Sequence, residues 1–212
     1  MILHDTLIFI TVFYSVTTAS EKPCCTSKKF FGQIKVTTGL VKNGIPRSME
    51  NTFQFDYNAD MHMERAIGHI YDSSDRSSQH YKIFNDYRHG KRYGFYGSDS
   101  TTCVVTPIDP DAQPVNCVPD ELKHEGTLAV GSGNMTIQAN AWSGYASNMH
   151  WRMQTSVRDC TPISLTRYGI DTDGIYAIEI TTYSNITQYR LSSADALVIP
   201  DECKHSAVAT GK

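Results

Sequence analysis

Side chains that alternate between apolar and polar recur along this chain, and that period of two constrains the fold more than any other feature. Successive residues of an extended strand point to opposite faces, so alternation marks a strand with one face buried. Thr52 to Tyr57 carries Phe53, Phe55 and Tyr57 on one face. Met61 to Ile67 sets Met61, Met63 and Ile67 against His62 and Glu64. Tyr81 to Tyr87 and Arg92 to Tyr96 flank Arg88-His89-Gly90-Lys91, a hairpin signal in which Gly supplies a positive φ. Met135 to Ala141 alternates as well, and Trp151, Met153, Thr155 and Val157 share a face. Ile163 to Ile170 and Ile175 to Tyr183 flank Asp171-Thr172-Asp173-Gly174, a second hairpin signal. Composition agrees: Thr occurs 21 times, Ser 19 times and Leu only 8 times, a balance that favours a pleated surface over helices. Short helical turns are expected at Pro119 to His124 and at Ser192 to Leu197. The reading is a mostly β fold, an antiparallel sheet of about eight to eleven strands, wide enough to curl or to split into two packed layers.

The amino terminus reads differently. Leu7 to Val16 is an apolar run of signal-peptide length, followed by the small residues Thr17, Thr18, Ala19 and Ser20. Residues 1–20 are therefore expected to be a signal peptide, although Lys and Arg are absent before the run. A buried first strand is the alternative. Residues 21–212 read as a single domain, because no internal repeat or linker-length tether interrupts them. No apolar run reaches the roughly 20 residues of a membrane span. A net charge of −3 gives no basic face for nucleic acid.

All six cysteines, Cys24, Cys25, Cys103, Cys117, Cys160 and Cys203, lie behind the leader. An even count in that context predicts a disulfide framework, and six cysteines allow about 15 pairings. A zinc site is disfavoured, since the chain has no C-x-x-C pair. Asn134-Met135-Thr136 and Asn185-Ile186-Thr187 are sequons, so Asn134 and Asn185 are candidate glycosylation sites.

Catalytic patterns are absent or incomplete. Gly131-Ser132-Gly133 is not a nucleophile elbow, because a strand and not a helix follows it. His62, Glu64 and His69 are metal-ligand types, but the spacing favours a solvated strand face. Asp171-Thr172-Asp173-Gly174 begins like a calcium loop, yet Ile180 stands where the loop needs its terminal Glu, so a turn is favoured. Asp109-Pro110-Asp111 reads as an exposed turn. Tyr81, Tyr87, Tyr93, Tyr96, Tyr168, Tyr176 and Tyr183 fit ordinary sheet packing better than a pocket lining.

The order of several short elements resembles the ependymin-related family. Cys24-Cys25 is followed by Phe30-Phe31-Gly32, then by Phe53-Gln54-Phe55-Asp56-Tyr57 and Met61-His62-Met63-Glu64-Arg65. Tyr87-Arg88-His89-Gly90, Thr102-Cys103, Trp142-Ser143, Val157-Arg158-Asp159-Cys160-Thr161-Pro162 and Asp201-Glu202-Cys203 complete the series. The resemblance covers about residues 24 to 204. It implies a secreted, glycosylated, disulfide-bonded and dimeric protein, associated with calcium and with matrix or adhesion roles. It also implies a strongly curved antiparallel sheet, a half-barrel similar to bacterial lipoprotein carriers, around a deep apolar pocket closed partly by one or two short helices. By this resemblance Cys103 pairs with Cys203, Cys160 with Cys24 or Cys25, and the remaining amino-terminal cysteine with Cys117. The vertebrate pattern lacks Cys117, which fits an invertebrate-like branch.

The functional expectation is a secreted, extracellular, non-enzymatic protein that binds a hydrophobic ligand such as a fatty-acyl lipid. Alternation assigns Phe53, Phe55, Tyr93, Phe95, Trp151, Met153, Ile178 and Ile180 to the pocket wall. A one-residue error in register would invert a strand's set. No cofactor is expected; calcium is the one ion the resemblance implies, and no ligand for it is assigned. The alternative is a matrix or cell-adhesion protein that acts through its surface and a homodimer interface, with the pocket incidental.

Overall fold

A computed structural model describes residues 22–97, 101–109, 114, 116–146, 149–170, 174–188 and 197–204. The strands are β1 (Lys29–Lys42), β2 (Ile45–Asn58), β3 (Met63–Asp72), β4 (Ser77–Asp86), β5 (Lys91–Tyr96) and β6 (Val104–Pro107). They continue with β7 (Leu122–Ser132), β8 (Met135–Ala146), β9 (Met149–Ser156), β10 (Pro162–Ile170) and β11 (Tyr176–Gln188). Among the described residues one helix, α1 (Asp201–Lys204), follows. The strands form one open, curved, antiparallel sheet in the order β6-β5-β4-β3-β2-β1-β11-β10-β9-β8-β7. The mostly β, antiparallel reading holds, and the sheet does not split into two layers.

Strands adjacent in sequence pair with one another except β6 and β7, which form the two edges, and the pairing of β1 with β11 joins the two halves. Asn43 (φ 54°) and Gly44 (φ 75°) close β1 onto β2 in the left-handed geometry that a two-residue hairpin requires. Gly90 (φ 62°) plays the same part between β4 and β5.

Side chains of directly opposed residues share a face, so the register divides the sheet into two faces. The front face carries Ile34, Phe55, Tyr57, Trp142, Met153, Leu165, Thr181 and Tyr183, linked across the strands from β2 to β8. Two clusters bury its middle. One holds Phe30, Ile34, Phe55 and Tyr57; the other holds Val118, Leu122, Trp142 and Cys160. The back face is buried chiefly at one end, where Phe84, Phe95, Cys103, Val105 and Cys203 pack together.

Three disulfides tie the covering segments down: Cys24–Cys160, Cys25–Cys117 and Cys103–Cys203. Cys24 to Thr26 runs beside Asn116 to Val118, with Thr26 N–H donating to the Asn116 carbonyl at 2.7 Å and Val118 N–H to the Cys24 carbonyl at 2.9 Å. This paired strap crosses the front face.

The structure corrects several local expectations. Of the expected Pro119 to His124 helix only a turn from Pro119 to Leu122 forms, closed by Leu122 N–H to the Pro119 carbonyl at 3.0 Å, and β7 begins at Leu122. Leu122 belongs to the core while its neighbours Glu121 and Lys123 are exposed, and that period of two outweighs the acidic residues at a helical start. Met61 and His62 sit in a turn, so β3 starts at Met63. Strands β1, β6 and β7 have no counterpart among the alternating segments. The leader, the Asp171 to Asp173 turn and nearly all of the Ser192 to Leu197 turn lie outside the described residues.

Candidate functional site

A small apolar cavity of about 100 Å³ lies between the front face and the strap. Its floor is Phe30 and Ile34 of β1, Phe55 of β2, Met153 of β9 and Tyr183 of β11. Its roof is Thr26, Pro114, Asn116, Cys117 and Val118, with Cys160 and Pro162 at one side. The floor packs by aromatic contact: the Phe30 ring lies 5.7 Å from that of Phe55 and 5.6 Å from that of Tyr57. The expected deep pocket is thus a shallow one, because Phe30, Tyr57, Trp142 and the strap fill most of the front face.

The eight residues assigned to the pocket wall do not share one face. Phe55 and Met153 line the cavity, while Phe53 and Trp151 pack at its flanks on the same face. Tyr93 and Phe95 lie on the back face with Phe84 and Val105. Ile178 and Ile180 are 45% and 43% exposed, also on the back face. In β11 the opposite set points forward: Glu179 meets Arg167, and Thr181 and Tyr183 enter the front core. The facing is inverted because the more apolar set of β11, Tyr176, Ile178 and Ile180, stands on the back, while the front carries Glu179 and Thr181.

Two buried polar atoms lie at or beside the cavity without a hydrogen-bond partner among the described residues, Thr26 Oγ1 and Arg167 Nε. Thr26 lines the roof. Arg167 sits 5.3 Å from the Trp151 ring centroid and binds Glu179 through Nη2 at 2.5 Å. Burial pushes the Tyr183 hydroxyl up to about 12, with Arg167 opposing and Glu179 adding to the shift. The phenol therefore stays protonated and neutral at the cavity wall.

A second polar group is buried on the front face nearer the sheet edge. Glu64 accepts from Asn85 Nδ2 at 2.5 Å and from the Tyr87 hydroxyl at 2.7 Å, and Arg92 Nε donates to Asn85 Oδ1 at 2.9 Å. Burial raises the Glu64 carboxyl above the ordinary carboxylate range despite these donors. The expected solvated strand face does not hold for Glu64. It faces Tyr57 and Asn85 on neighbouring strands, whereas His69 projects from the back. Among the described residues no group of three His, Cys, Asp or Glu side chains could hold a metal ion.

Asn134 lies exposed in the turn between β7 and β8, and Asn185 is exposed on β11. Sequence reasoning misses Thr26 as a cavity residue and assigns Tyr183 to ordinary sheet packing, whereas both line the cavity. The signal for Thr26 is positional: it follows Cys24 and Cys25, and Cys24 is tied to Cys160 beside β10.

A comparison with curated proteins returns no match. Among solved structures, an uncharacterized conserved protein from Thermus thermophilus is 11% identical, with 80% of this chain and 86% of that chain covered and a TM-score of 0.44. A LolA superfamily protein from Nitrosomonas europaea is 7% identical, with 78% and 88% covered and a TM-score of 0.32. A putative outer membrane lipoprotein-sorting protein domain from Vibrio parahaemolyticus is 5% identical, with 80% and 88% covered and a TM-score of 0.34. Likeness at these levels says nothing about ligand or activity. The family model described as Ependymin matches residues 75–203. That span is more than half of the sequence and runs from the β3–β4 turn to Cys203, and by it the chain belongs to the ependymin family.

Proposed function

We propose that this protein is a secreted, non-enzymatic carrier that binds a hydrophobic ligand, with a fatty-acyl lipid as the ligand class. One observation carries the reading: an apolar cavity lies under a paired strap that Cys25–Cys117 closes internally and Cys24–Cys160 ties to the β9–β10 turn. At about 100 Å³ the cavity takes the end of a chain. It is smaller than the roughly 150 Å³ that holds a benzene molecule in an apolar core. A longer ligand requires the strap to lift, and burial of each further methylene favours binding by about 0.8 kcal/mol. Three disulfides and the family membership are consistent with an extracellular setting. Glycans at Asn134 and Asn185 complete the proposal.

Mass spectrometry of protein purified from a secreting host, followed by titration with a fluorescent fatty acid, tests it. A co-purifying lipid and saturable binding that Val118→Phe weakens about ten-fold are expected. Absence of both a lipid and saturable binding rejects the carrier reading.

A second reading, action through the surface as a homodimer in an adhesive matrix, is favoured by a different observation. Val41, Tyr168, Ile170, Tyr176, Ile178 and Ile180 are all large apolar side chains exposed on β1, β10 and β11. Sedimentation of the wild type as a dimer and of Ile178→Lys as a monomer would support it; a monomeric wild type would not.

A further inference from the structure

The back face holds a larger cavity, of about 580 Å³, between strands β3 to β5 and the carboxy-terminal segment. It shares no lining residue with the front cavity. Its floor follows from the register. His69 stands opposite His80, and Ile67 opposite Lys82, which in turn faces Phe95. The far wall is Thr101, Pro200 and Glu202, brought there by the Cys103–Cys203 bond.

Lys82 sets the chemistry. Its ammonium lies 5.1 Å from the Phe84 ring centroid and 5.9 Å from that of Phe95, so two aromatic faces hold it in place. Lys29 and Lys35 pair with Asp60 and Glu50 at 2.8 and 2.9 Å, but no such carboxylate pairs with Lys82 among the described residues. The His69 and His80 rings stand 5.8 Å apart beside it and offer N–H donors. Ile67 and Phe95 add apolar surface to the same floor.

We propose that this cavity binds a small organic anion: one carboxylate, sulfate ester or phosphate monoester on a compact apolar body. The anionic oxygens sit at Lys82 with the two imidazoles as donors, and the body lies against Ile67 and Phe95. The volume falls within the roughly 300–1,000 Å³ of small-molecule sites. Glu202 on the opposite wall repels a second negative charge, so a single anionic group at the sheet side is selected over a polyanion.

The test uses the full secreted chain and 8-anilinonaphthalene-1-sulfonate as the anionic probe, with neutral N-phenyl-1-naphthylamine as the uncharged control. Lys82→Met keeps the stem over the rings and removes the charge. It should weaken the sulfonate about ten-fold, as loss of one charged hydrogen bond does, and leave the neutral probe within about two-fold. Lys82→Arg should restore binding, and Glu202→Gln should tighten it. Val118→Phe, which fills the front cavity, should leave sulfonate binding unchanged. If Lys82→Met does not fold, the double variant His69→Leu/His80→Leu, which removes both N–H donors, carries the same expectation of selective loss. Sulfonate affinity that is unchanged in the charge-removing variant, or lost in Val118→Phe, overturns the proposal.

Discussion

Thr155 and Thr26 are both buried, and they make opposite demands on the fold. Thr155 is fully buried, and its Oγ1 accepts the Trp142 indole N–H at 3.0 Å. Thr155→Val should lower unfolding free energy in urea by about 1–3 kcal/mol, because the indole donor is left unsatisfied. Thr26→Val removes an orphaned hydroxyl, so the same measurement should show no loss. Glu64 adds a pH-dependent term. Its carboxyl holds its proton more tightly in the folded state, so this contribution to stability is full below the ordinary carboxylate range and is lost as pH rises through the raised value. Stability measured from pH 4 to pH 7 should carry that decline in the wild type and lack it in Glu64→Gln; parallel curves would refute the assignment. The sequence shows that Thr155 shares a face with Trp151 and Met153. It does not show Glu64 as buried, because its partners Asn85 and Tyr87 arrive from a strand and a turn more than 20 residues away.

At the scale of elements, alternation reports polarity along one strand and is silent about partners. β2 and β9 are legible because one face carries large apolar side chains (Phe53, Phe55 and Tyr57; Trp151 and Met153) and the other is polar. β1 escapes notice although Phe30, Ile34, Val36 and Leu40 share its front face, because Gly32 and Thr38 interrupt that set and Phe31 and Val41 stand on the back. β11 is legible as a strand but reads inverted: Ile178 and Ile180 look inward until Arg167 is seen to hold Glu179 on the front side. The Asn43-Gly44 hairpin is present in the sequence as a dipeptide and is the signal that locates β1. Packing between β2 and β3 depends on Gly68, where an added Cβ would lie 2.2 Å from the Thr52 carbonyl oxygen and 2.5 Å from Phe53 Cβ. Gly68→Ala should therefore force these strands apart and cost about 1–3 kcal/mol in thermal or urea unfolding. A neutral result would mean that the pair is looser than the register implies.

Over the whole molecule, the disulfides act on opposite faces of one sheet. On the front, Cys25–Cys117 joins the two halves of the strap and Cys24–Cys160 ties it to the β9–β10 turn, while Cys103–Cys203 fastens the carboxy-terminal segment to the back. The number of cysteines is plain from the sequence, whereas the face each bond closes depends on register and only emerges in three dimensions. Cys103→Ala/Cys203→Ala should destabilise the fold by about 2–5 kcal/mol. It should also abolish the back cavity's anion binding before the front cavity is affected, as unfolding and titration together would show. The connectivity has one more consequence, for damage in an environment rich in proteases. The three covalent rings span residues 24–160, 25–117 and 103–203, and the first and last overlap. Every peptide bond from Cys24 to Cys203 thus lies inside at least one ring. A single cut anywhere in that stretch yields two fragments on a reducing gel but leaves one particle, still tethered, until a reductant arrives.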